Sequence, residues 1–331
     1  MKPIKLGIIG CGIAARNLHW PALQKLKDKF EITMVCNHSE PKARDFAEIV
    51  GGVPYVLDYR KLLQSPAVEA VDIVLPIYLN YQVTGDALQA GKHTVVEKPL
   101  AANLPDAKQM VEFEKRYPQV MMVAENFRYR PTFHQVKRYL DQGRIGEAYA
   151  VFWNVFYHID QKDRYAQTRW RIQHQHPGGF LSDAGVHNIA TLRLLFGEII
   201  AGTAFTKSVN PGIGELDTLS FQFSATKNVH GVLNLFFSAK GYSENRMLIL
   251  GDQGSIIVEQ NKINLKRIGD TDLEEIIEDD GGYQGEFEDF YGAIRTGQKV
   301  VSTFSEAYSD LQVIINALKS ANRMPRFKIT S

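Results

Sequence analysis

Glycines near the start of the chain have the spacing of a phosphate-binding loop. Gly10, Gly12 and Ala15 form a G-x-G-x-x-A pattern directly after a short apolar run. The first glycine makes the tight turn, the second lets the backbone approach a pyrophosphate, and the small third residue keeps the next helix close to the sheet. Phosphates bind well at such a helix N-terminus, because its free N–H groups and dipole favour anions. The pattern therefore predicts a dinucleotide site.

A second group of residues could act on an alcohol. Oxidising a secondary alcohol needs a base that titrates near the working pH. Histidine is the residue type best suited to this role, and His187 is the candidate. Asp183 lies four residues earlier, so in a helix it shares a face with His187 and can orient the imidazole or bind a substrate hydroxyl. Lys98 could stabilise a developing alkoxide, or relay the proton itself. The sequence leaves the proton relay open between Lys98 and His187.

The residues after the second predicted strand bear on the choice of dinucleotide. NAD sites usually carry an acidic residue here for the ribose 2′-hydroxyl, whereas this chain has Asn37, His38 and Ser39. The neutral Asn37 removes a carboxylate that would repel a 2′-phosphate, and His38 and Ser39 could donate hydrogen bonds to it. Lys42 or Arg44 could lend charge. This favours NADP over NAD; the alternative is that Asn37 binds both ribose hydroxyls of NAD.

A basic and aromatic segment precedes the acid–histidine pair. Arg171 could hold a carboxylate or phosphate with its forked guanidinium, and Trp170 could stack on a sugar face. An acidic or phosphorylated sugar is therefore one hypothesis for the substrate; a solvated basic loop or an interface is the simpler interpretation. His174 and His176 have a spacing that a metal pair could use, but no cysteine lies nearby, and we expect no metal.

The elements that must position these residues change character along the chain. Before about residue 125, apolar strand-like runs alternate with helix-like segments, which is typical of a parallel sheet covered by helices on both faces. The predicted strands are Lys5–Gly10, Glu31–Asn37, Ala70–Pro76, His93–Glu97 and Val120–Ala124, and the predicted helices are Ala14–Lys29, Lys42–Val50, Asn80–Ala90 and Asn103–Arg116.

The second half has longer strands in which apolar and polar residues alternate, as in an open antiparallel or mixed sheet. The predicted strands are Tyr149–Tyr157, Leu219–Ser224, Val229–Phe237, Met247–Leu250 and Ser255–Glu259. A helix is predicted to end at Gly297, and Thr303 with Glu306 resembles a capping box that opens the last helix. Some of these strands are apolar on both faces. A second subunit could cover one face, and so could loops or helices of the same chain.

Four sequence segments resemble motifs of one enzyme family. The run Ala90–Ala101 resembles the A-G-K-H-V-x-x-E-K-P-x-A signature of the Gfo/Idh/MocA oxidoreductases. Asp58–Leu63 resembles the D-Y-x-x-L-L motif of the family, Asn126–Pro131 its N-x-R-F-x-P segment, and Gly178–His187 its G-G-x-L-x-D-x-G-x-H motif. The resemblance extends over nearly the whole chain.

The resemblance implies an α/β protein with two domains. Residues 1–125 would form a Rossmann domain with a doubly wound parallel sheet that binds NAD(P). Residues 126–331 would form a C-terminal α/β domain with a large open, mostly antiparallel sheet for substrate binding and oligomerisation, and the last helix could pack back on the first domain. The family transfers hydride to or from sugars, cyclitols and their derivatives, a chemistry that needs no metal.

The resemblance also implies the site residues. The catalytic residues would be Lys98, Asp183 and His187. The cofactor would contact Gly10, Gly12, Ile13, Ala14, Ala15, Asn37, His38, Ser39, Pro76, Asn80, Glu97 and Lys98, with Glu97 and Lys98 at the nicotinamide end. The substrate would contact Lys98, Arg128, Trp170, Arg171, Asp183 and His187. The Lys98–Pro99 bond is expected to be cis or sharply turned.

The chain departs from the family pattern at four positions. The acidic residue that often follows the motif histidine by three positions is Ala190, and the acidic ribose position is Asn37. In the segment that matches P-N-x-x-H of the family, Ile77 replaces the asparagine and Asn80 replaces the histidine. None of these changes touches Lys98, Asp183 or His187. They affect the nucleotide contacts and leave room for a divergent substrate.

The composition excludes several classes of protein. Among 331 residues, 38 Lys and Arg balance 37 Asp and Glu, and this gives no reason to expect a nucleic acid or membrane partner. The two cysteines exclude a disulfide framework, and we expect a cytoplasmic enzyme that forms a homodimer or homotetramer through its C-terminal sheet.

Two other functions remain as alternatives. One is a non-catalytic NAD(P)-sensing regulatory protein, against which the retention of Lys98, Asp183 and His187 argues. The other is a redox-assisted glycosidase, which would release an aglycone with no net turnover of the cofactor.

Overall fold

The chain divides into two compact units. The computed structural model describes residues 1–321 except 161, 174 and 215. The first unit consists of Met1–Arg130 and Asp280–Ser309, and the second of Pro131–Asp279 and the chain from Asp310 on. The first unit is therefore discontinuous in sequence. The domain boundary after residue 125 stays a prediction.

The first unit contains a six-stranded parallel sheet with the strand order β3-β2-β1-β4-β5-β6. Its strands are β1 Ile4–Ile9, β2 Phe30–Cys36, β3 Tyr55–Val56, β4 Ala70–Ile73, β5 His93–Glu97 and β6 Met121–Ala124. Every residue of β4 and of β6 is buried, as expected for strands covered on both faces. The predicted Rossmann-type sheet is confirmed, and the strand order reverses between β1 and β4, where such folds bind ligands.

Helices connect these strands. They are a π-helical turn at Ala15–His19 continued by α1 Trp20–Lys25, then α2 Glu40–Ile49, α3 Tyr59–Leu63, α4 Asn80–Gln89 and α5 Leu104–Arg116, with 3-10 turns at Ile77–Leu79 and Asn126–Tyr129. Two helix starts are capped by side chains: Asp58 accepts the Arg60 N–H at 3.0 Å, and Asn103 accepts the Asp106 N–H at 2.9 Å.

The second unit contains an eight-stranded sheet with the order β14-β13-β12-β11-β7-β10-β9-β8. Its strands are β7 Ala148–Phe156, β8 Ile199–Lys207, β9 Thr218–Ala225, β10 His230–Phe236, β11 Glu244–Gly251, β12 Gly254–Glu259, β13 Lys262–Arg267 and β14 Leu273–Ile276. All pairs are antiparallel except β7 with β10. The predicted, mostly antiparallel sheet is confirmed.

The two faces of this sheet differ. Trp153 and Leu233 are buried on one face. The helices α6 Pro131–Asp141 and α8 Phe180–Phe196 contact strands of the sheet, and α7 Arg169–Ile172 contacts the 3-10 turn at Pro211–Ile213. On the opposite face, here called the open face, four apolar side chains are neighbours across the central strands and are only partly covered. They are Phe152, Val232, Leu248 and Ile257.

The chain then returns to the first unit through α9 Tyr283–Thr296 and the start of α10 Phe304–Ala321. Phe287 and Phe290 of α9 are fully buried in the core of the first unit, where Phe287 makes an edge contact with Phe30. Gly297 has φ +75° and ends α9 as predicted. The predicted capping bond of α10 is also present, since Thr303 accepts the Glu306 N–H at 3.1 Å.

No helix within the described part of the chain is both long enough and apolar enough to cross a membrane. Cys11 and Cys36 are both free and buried.

Candidate active site

The glycine loop follows β1 at the point where the strand order reverses. Gly10 has φ +108°, and a Cβ at this position would lie 2.1 Å from the Val74 carbonyl oxygen, so only glycine fits. A Cβ at Gly12 would meet no atom within 4 Å. The backbone there is open to a ligand at the start of the helix, which Ile13 and Ala14 begin. These residues fit the phosphates of a dinucleotide.

Asn37 links the glycine loop to the end of β2. Its Oδ1 accepts the Cys11 N–H at 3.3 Å, and its Nδ2 donates to the Ser39 carbonyl at 3.3 Å. The neighbouring His38 is exposed. The polar residues predicted at the ribose position thus lie beside the phosphate loop, and no carboxylate stands at position 37.

Arg16 adds a cation that the sequence interpretation missed. Its Nε donates to the Cys11 carbonyl at 3.1 Å, and its Nη2 donates to the Lys42 carbonyl at 3.1 Å. Its Nη1 lies 2.7 Å from Asp45 Oδ2, and the guanidinium packs over the ring of Phe46. The sequence feature that could have identified Arg16 is its position one helical turn after Gly12. Arg16 therefore ties the glycine loop to α2, with its charge paired to Asp45.

The segment Glu97–Lys98–Pro99 is fixed by Asn80. The Lys98–Pro99 bond is cis, in line with the prediction. Asn80 is fully buried, and its Nδ2 donates to the carbonyls of Glu97 at 2.8 Å and Pro99 at 2.9 Å. Pro76 precedes the 3-10 turn that leads into α4. Asn80 therefore holds the backbone on both sides of Lys98, which is itself half-buried.

His19 is a second buried anchor of this segment. It is fully buried at the end of the π-helical turn, with its Nδ1 2.8 Å from Asp72 Oδ2 and its Nε2 3.1 Å from Glu97 Oε1. Burial alone would lower the pKa of His19, but the charges and hydrogen bonds of Asp72 and Glu97 outweigh burial and raise this pKa well above its ordinary value. Sequence reasoning missed His19; the signals were a histidine on a buried helix face and an aspartate within the apolar strand β4.

In the second unit, α8 carries both members of the predicted acid–histidine pair. Asp183 and His187 lie four residues apart on this helix and hence on one face, as predicted. Asp183 is buried and His187 is half-buried. Arg171 Nε donates to Asp183 Oδ2 at 3.0 Å, so two of the residues predicted to bind substrate are in direct contact.

Aromatic rings surround this ion pair. The Arg171 guanidinium lies 4.1 Å from the Trp170 ring centre and 5.1 Å from that of Tyr165. Tyr157 at the end of β7 was not predicted as a site residue; burial of its hydroxyl, and next the charge of Asp183, raise its pKa far above the ordinary value. Cation, carboxylate and aromatic faces are the groups that bind polyhydroxylated rings.

Other predicted site residues have different surroundings. Arg128 is buried and lies 3.3 Å from Glu306 within the first unit, which favours a structural role; its contact with substrate stays a prediction. His176 is buried, with Nε2 3.2 Å from the Gly179 carbonyl. His174 lies outside the described residues. Among those described, no group of three or more His, Cys, Asp or Glu side chains is arranged to hold a metal ion.

The two units therefore carry separate parts of the predicted site. Lys98 and the glycine loop belong to the first unit, and Asp183, His187 and Arg171 to the second. Each part has buried polar contacts that fix its own residues.

Two family models match the chain. One is described as an oxidoreductase family with an NAD-binding Rossmann fold and matches residues 4–125. The other, the GFO/IDH/MocA C-terminal domain, matches residues 133–257. Together they include the glycine loop, the Glu97–Pro99 segment and the Asp183–His187 pair.

Individual relatives are similar over the whole chain or part of it. An uncharacterized protein of Saccharomyces cerevisiae is 32% identical over 97% of this chain and 97% of its own. The crystal structure of an oxidoreductase from Thermotoga maritima has a TM-score of 0.92 and 37% identity, covering 96% of this chain and 97% of that one. A scyllo-inositol 2-dehydrogenase (NADP(+)) of Bacillus subtilis is 30% identical over 61% of this chain and 54% of its own.

Proposed function

Because the chain belongs to the GFO/IDH/MocA family of NAD(P)-binding oxidoreductases, we propose that it interconverts a secondary alcohol and a ketone on a sugar, cyclitol or related polyol. The observation that carries the proposal is the open glycine loop at the switch point of the sheet, with the Lys98 backbone fixed at the same sheet edge by Asn80. The Bacillus subtilis relative, named for an inositol substrate, supports the substrate class.

The residues of the first unit fit a dinucleotide. The backbone at Gly12 is open to the phosphates, Asn37 and Ser39 would meet the adenosine ribose, and Glu97 and Lys98 would meet the nicotinamide half. When bound, the nicotinamide ring accepts or donates the hydride. NADP is the preferred dinucleotide in this proposal, because position 37 lacks the carboxylate that would repel a 2′-phosphate.

The proposed chemistry needs one group that holds the reacting oxygen and one that takes its proton. Lys98 would hold this oxygen and stabilise negative charge that develops on it, and His187 would take the proton of the alcohol. Asp183 is buried, and its contact with the Arg171 guanidinium fixes its orientation. The proton relay is proposed at His187; relay by Lys98 is the alternative that mutagenesis distinguishes.

The substrate is proposed to be a neutral polyol. Arg171 is the cation that an acidic or phosphorylated sugar would have used, and its charge is already balanced by Asp183 at 3.0 Å. Trp170 and Tyr165 offer ring faces beside it, and these suit the C–H surface of a sugar or cyclitol.

The test begins with the nucleotide. Purified protein is titrated with NADH and NADPH, and then screened with the preferred oxidised form against sugars, inositols and their keto derivatives. Binding of one nucleotide together with reduction of the cofactor by a polyol is the expected result. Failure to bind either nucleotide overturns the proposal. Binding with no turnover on any polyol supports the sensing protein instead, and aglycone release with no net change in cofactor supports the glycosidase.

A homo-oligomer that pairs through the open face of the second sheet is part of the proposal. Phe152 is 40% exposed and is one of the four neighbouring apolar side chains, lying between Val232 and Leu248. A contiguous apolar surface on a sheet is commonly covered by a second copy related by two-fold symmetry.

A further inference from the structure

The first unit buries a group of ionisable side chains that the proposed chemistry does not use. His19, Asp72 and Glu286 are fully buried, and Glu125 is 2% exposed. They come from the π-helical turn, β4, α9 and the segment after β6, and together with Glu97 of β5 they are called here the buried acid cluster. One imidazole therefore stands among four carboxyl groups.

Hydrogen bonding assigns the charge on the imidazole. Both ring nitrogens of His19 lie within hydrogen-bond distance of a carboxylate oxygen, at 2.8 Å for Asp72 and 3.1 Å for Glu97. A neutral imidazole has one N–H, whereas an imidazolium has two and can donate to both carboxylates. His19 therefore carries a positive charge that balances part of the charge on its two partners.

Glu286 has no such compensation. Neither of its carboxyl oxygens has a hydrogen-bond partner in the described structure, and both are buried. Removal from water, together with Glu97, Asp72 and Glu125, raises the pKa of Glu286 well above its ordinary value, opposed only by His19. An ionised carboxylate in these surroundings would be costly, so burial favours the protonated form of Glu286.

The titratable groups that act on Glu286 come from several elements of the first unit. They are His19 from the π-helical turn, Asp72 from β4, Glu97 from β5, and Glu125 and Tyr129 after β6. Asp289, which lies on α9 with Glu286, accepts a hydrogen bond from the Tyr129 hydroxyl. Only one of these is positive, so the cluster as a whole is acidic.

Glu97 connects the cluster to the sheet edge where the dinucleotide is proposed to bind. Its side chain is 14% exposed, whereas those of His19 and Asp72 are 0% exposed. In dinucleotide folds the adenosine ribose is bound after β2 and the phosphates after β1, and the ligand extends across the switch point. The carboxyl ends of β4 and β5, and with them Glu97, then belong to the nicotinamide half.

The two oxidation states of the cofactor differ in charge at this half. The oxidised nicotinamide ring carries a positive charge, and the reduced ring is neutral. An acidic cluster attracts the cation and is indifferent to the neutral ring. The arriving cation also favours loss of a proton from a neighbouring carboxylic acid, because opposite charges stabilise the ionised form.

We propose that the buried acid cluster sets the preference between the oxidised and reduced cofactor, and that Glu286 gives up its proton when the oxidised form binds. In this step the O–H bond of Glu286 breaks, the electron pair stays on the carboxylate, and the proton passes to bulk water; nothing is oxidised or reduced. The inference rests on the proposed function, since it requires a nicotinamide dinucleotide in the first unit.

The experiment measures binding rather than turnover. Dissociation constants of the oxidised and reduced forms of the preferred nucleotide are determined at pH 6.5 and pH 8.5 by calorimetry in two buffers of different ionisation enthalpy. The ratio of the two constants cancels any titration of groups common to both nucleotides. For the wild type, we expect the affinity for the oxidised form, relative to that for the reduced form, to rise at least about threefold from pH 6.5 to pH 8.5. Binding of the oxidised form should release a proton.

One variant and one control test whether Glu286 is the group that releases the proton. Glu286→Gln keeps the shape but has no proton to lose, and it is expected to abolish both the pH dependence of the ratio and the proton release. Glu288→Gln lies on the same helix with its side chain 43% exposed, and it is expected to behave like the wild type. Should Glu286→Gln fail to fold, the wild-type proton release still tests the proposal.

The possible outcomes distinguish failure of this inference from failure of the proposed function. If the wild type binds both forms with a pH-independent ratio and releases no proton, the inference is wrong while nucleotide binding stands. If Glu286→Gln retains the wild-type pH dependence, Glu286 is not the group that titrates and the inference is wrong. If the wild type binds neither form, the proposed function fails and the inference with it.

Discussion

At the scale of single residues, the side chains proposed to react depend on polar neighbours that are buried or half-buried. Lys98 lies between two backbone carbonyls held by Asn80, and the adjacent Glu97 is held by His19. In the second unit Asp183 is held by Arg171. Fixing a catalytic group through its neighbours preserves its geometry without occupying the atoms that react.

Lys98→Ala tests the proposed electrostatic role. We expect turnover to fall by about a hundredfold or more, because one preorganised cation at a developing alkoxide is worth that much, with nucleotide affinity changed by less than about tenfold. Steady-state kinetics and nucleotide titration provide the two values. Lys108→Ala, exposed on α5, is the control. Near-normal turnover would remove Lys98 from the mechanism.

Asn37→Asp tests the basis of cofactor choice. A carboxylate at this position repels a 2′-phosphate and accepts hydrogen bonds from ribose hydroxyls, so we expect the ratio of NADPH to NADH affinity to fall by about tenfold or more. The new side chain can still accept the Cys11 N–H, so the glycine loop should be retained. Fluorescence titration with both nucleotides measures the change. An unchanged ratio would mean that position 37 does not contact the ribose.

Glu286→Gln also has a consequence for stability. The native pKa of Glu286 is raised above its unfolded value, so folding takes up a proton between these two pKa values and stability falls as pH rises through that range. A glutamine side chain takes up no proton, so the variant lacks this contribution to the pH dependence of stability. Relative to the wild type, we expect the variant to gain at least about 1 kcal/mol of unfolding free energy from pH 5 to pH 8. Urea unfolding at both pH values measures this difference, and an equal slope in the two proteins would contradict it.

At the scale of elements, the sequence predicted ten of the fourteen strands and missed β3, β8, β13 and β14. His93–Glu97 was predicted with its exact bounds, because an apolar run lies between Gly91 and Pro99. β13 and β14 were missed, since charged residues alternate with apolar ones near the edge of the sheet. The π-helical turn at Ala15–His19 was also missed, because it has no signal in residue type.

The candidate site was also predictable only in part. The shared face of Asp183 and His187 followed from a spacing of four in a helix, and the glycine loop from its motif. The importance of His19 and Glu286 did not follow, because their burial depends on packing between α9 and strands that lie far away in sequence. Such tertiary burial leaves no local pattern.

Asn80→Ala tests how α4 positions the end of β5. The change removes the amide that donates to two backbone carbonyls, so we expect a loss of about 2 kcal/mol or more in unfolding free energy, together with a fall in turnover that exceeds the loss of nucleotide affinity. Denaturant unfolding and kinetics measure both effects. Gln82→Ala, exposed on the same helix, is the control. A loss confined to nucleotide affinity would instead favour a direct cofactor contact.

At the scale of the whole molecule, the chain combines a parallel nucleotide-type sheet with a larger, mostly antiparallel one. The open face of the second sheet bears on assembly. It combines the apolar neighbours of Phe152 with a polar row in which Ser220, Asn234 and Asn154 are hydrogen-bonded side by side. A surface of this mixed kind suits contact between folded subunits.

Phe152→Glu tests the proposed oligomer. A charge in the middle of the apolar neighbours should be tolerated in a monomer but not in a packed interface, so we expect the assembly to dissociate to smaller species. Light scattering coupled to size exclusion measures the mass of wild type and variant, with Lys108→Glu as control. An unchanged oligomer would place the interface on another surface.

The discontinuity of the first unit has a consequence for how the protein is made. Phe287 and Phe290 complete the core of that unit, yet they leave the ribosome only after all of Pro131–Asp279. The second unit also ends late, because Ile314 of α10 packs close to Gly185. A nascent chain stalled before Asp280 thus has two unfinished cores. The stretch that follows, Asp280–Ala321, completes both of them, so neither core can be completed before that stretch is synthesised.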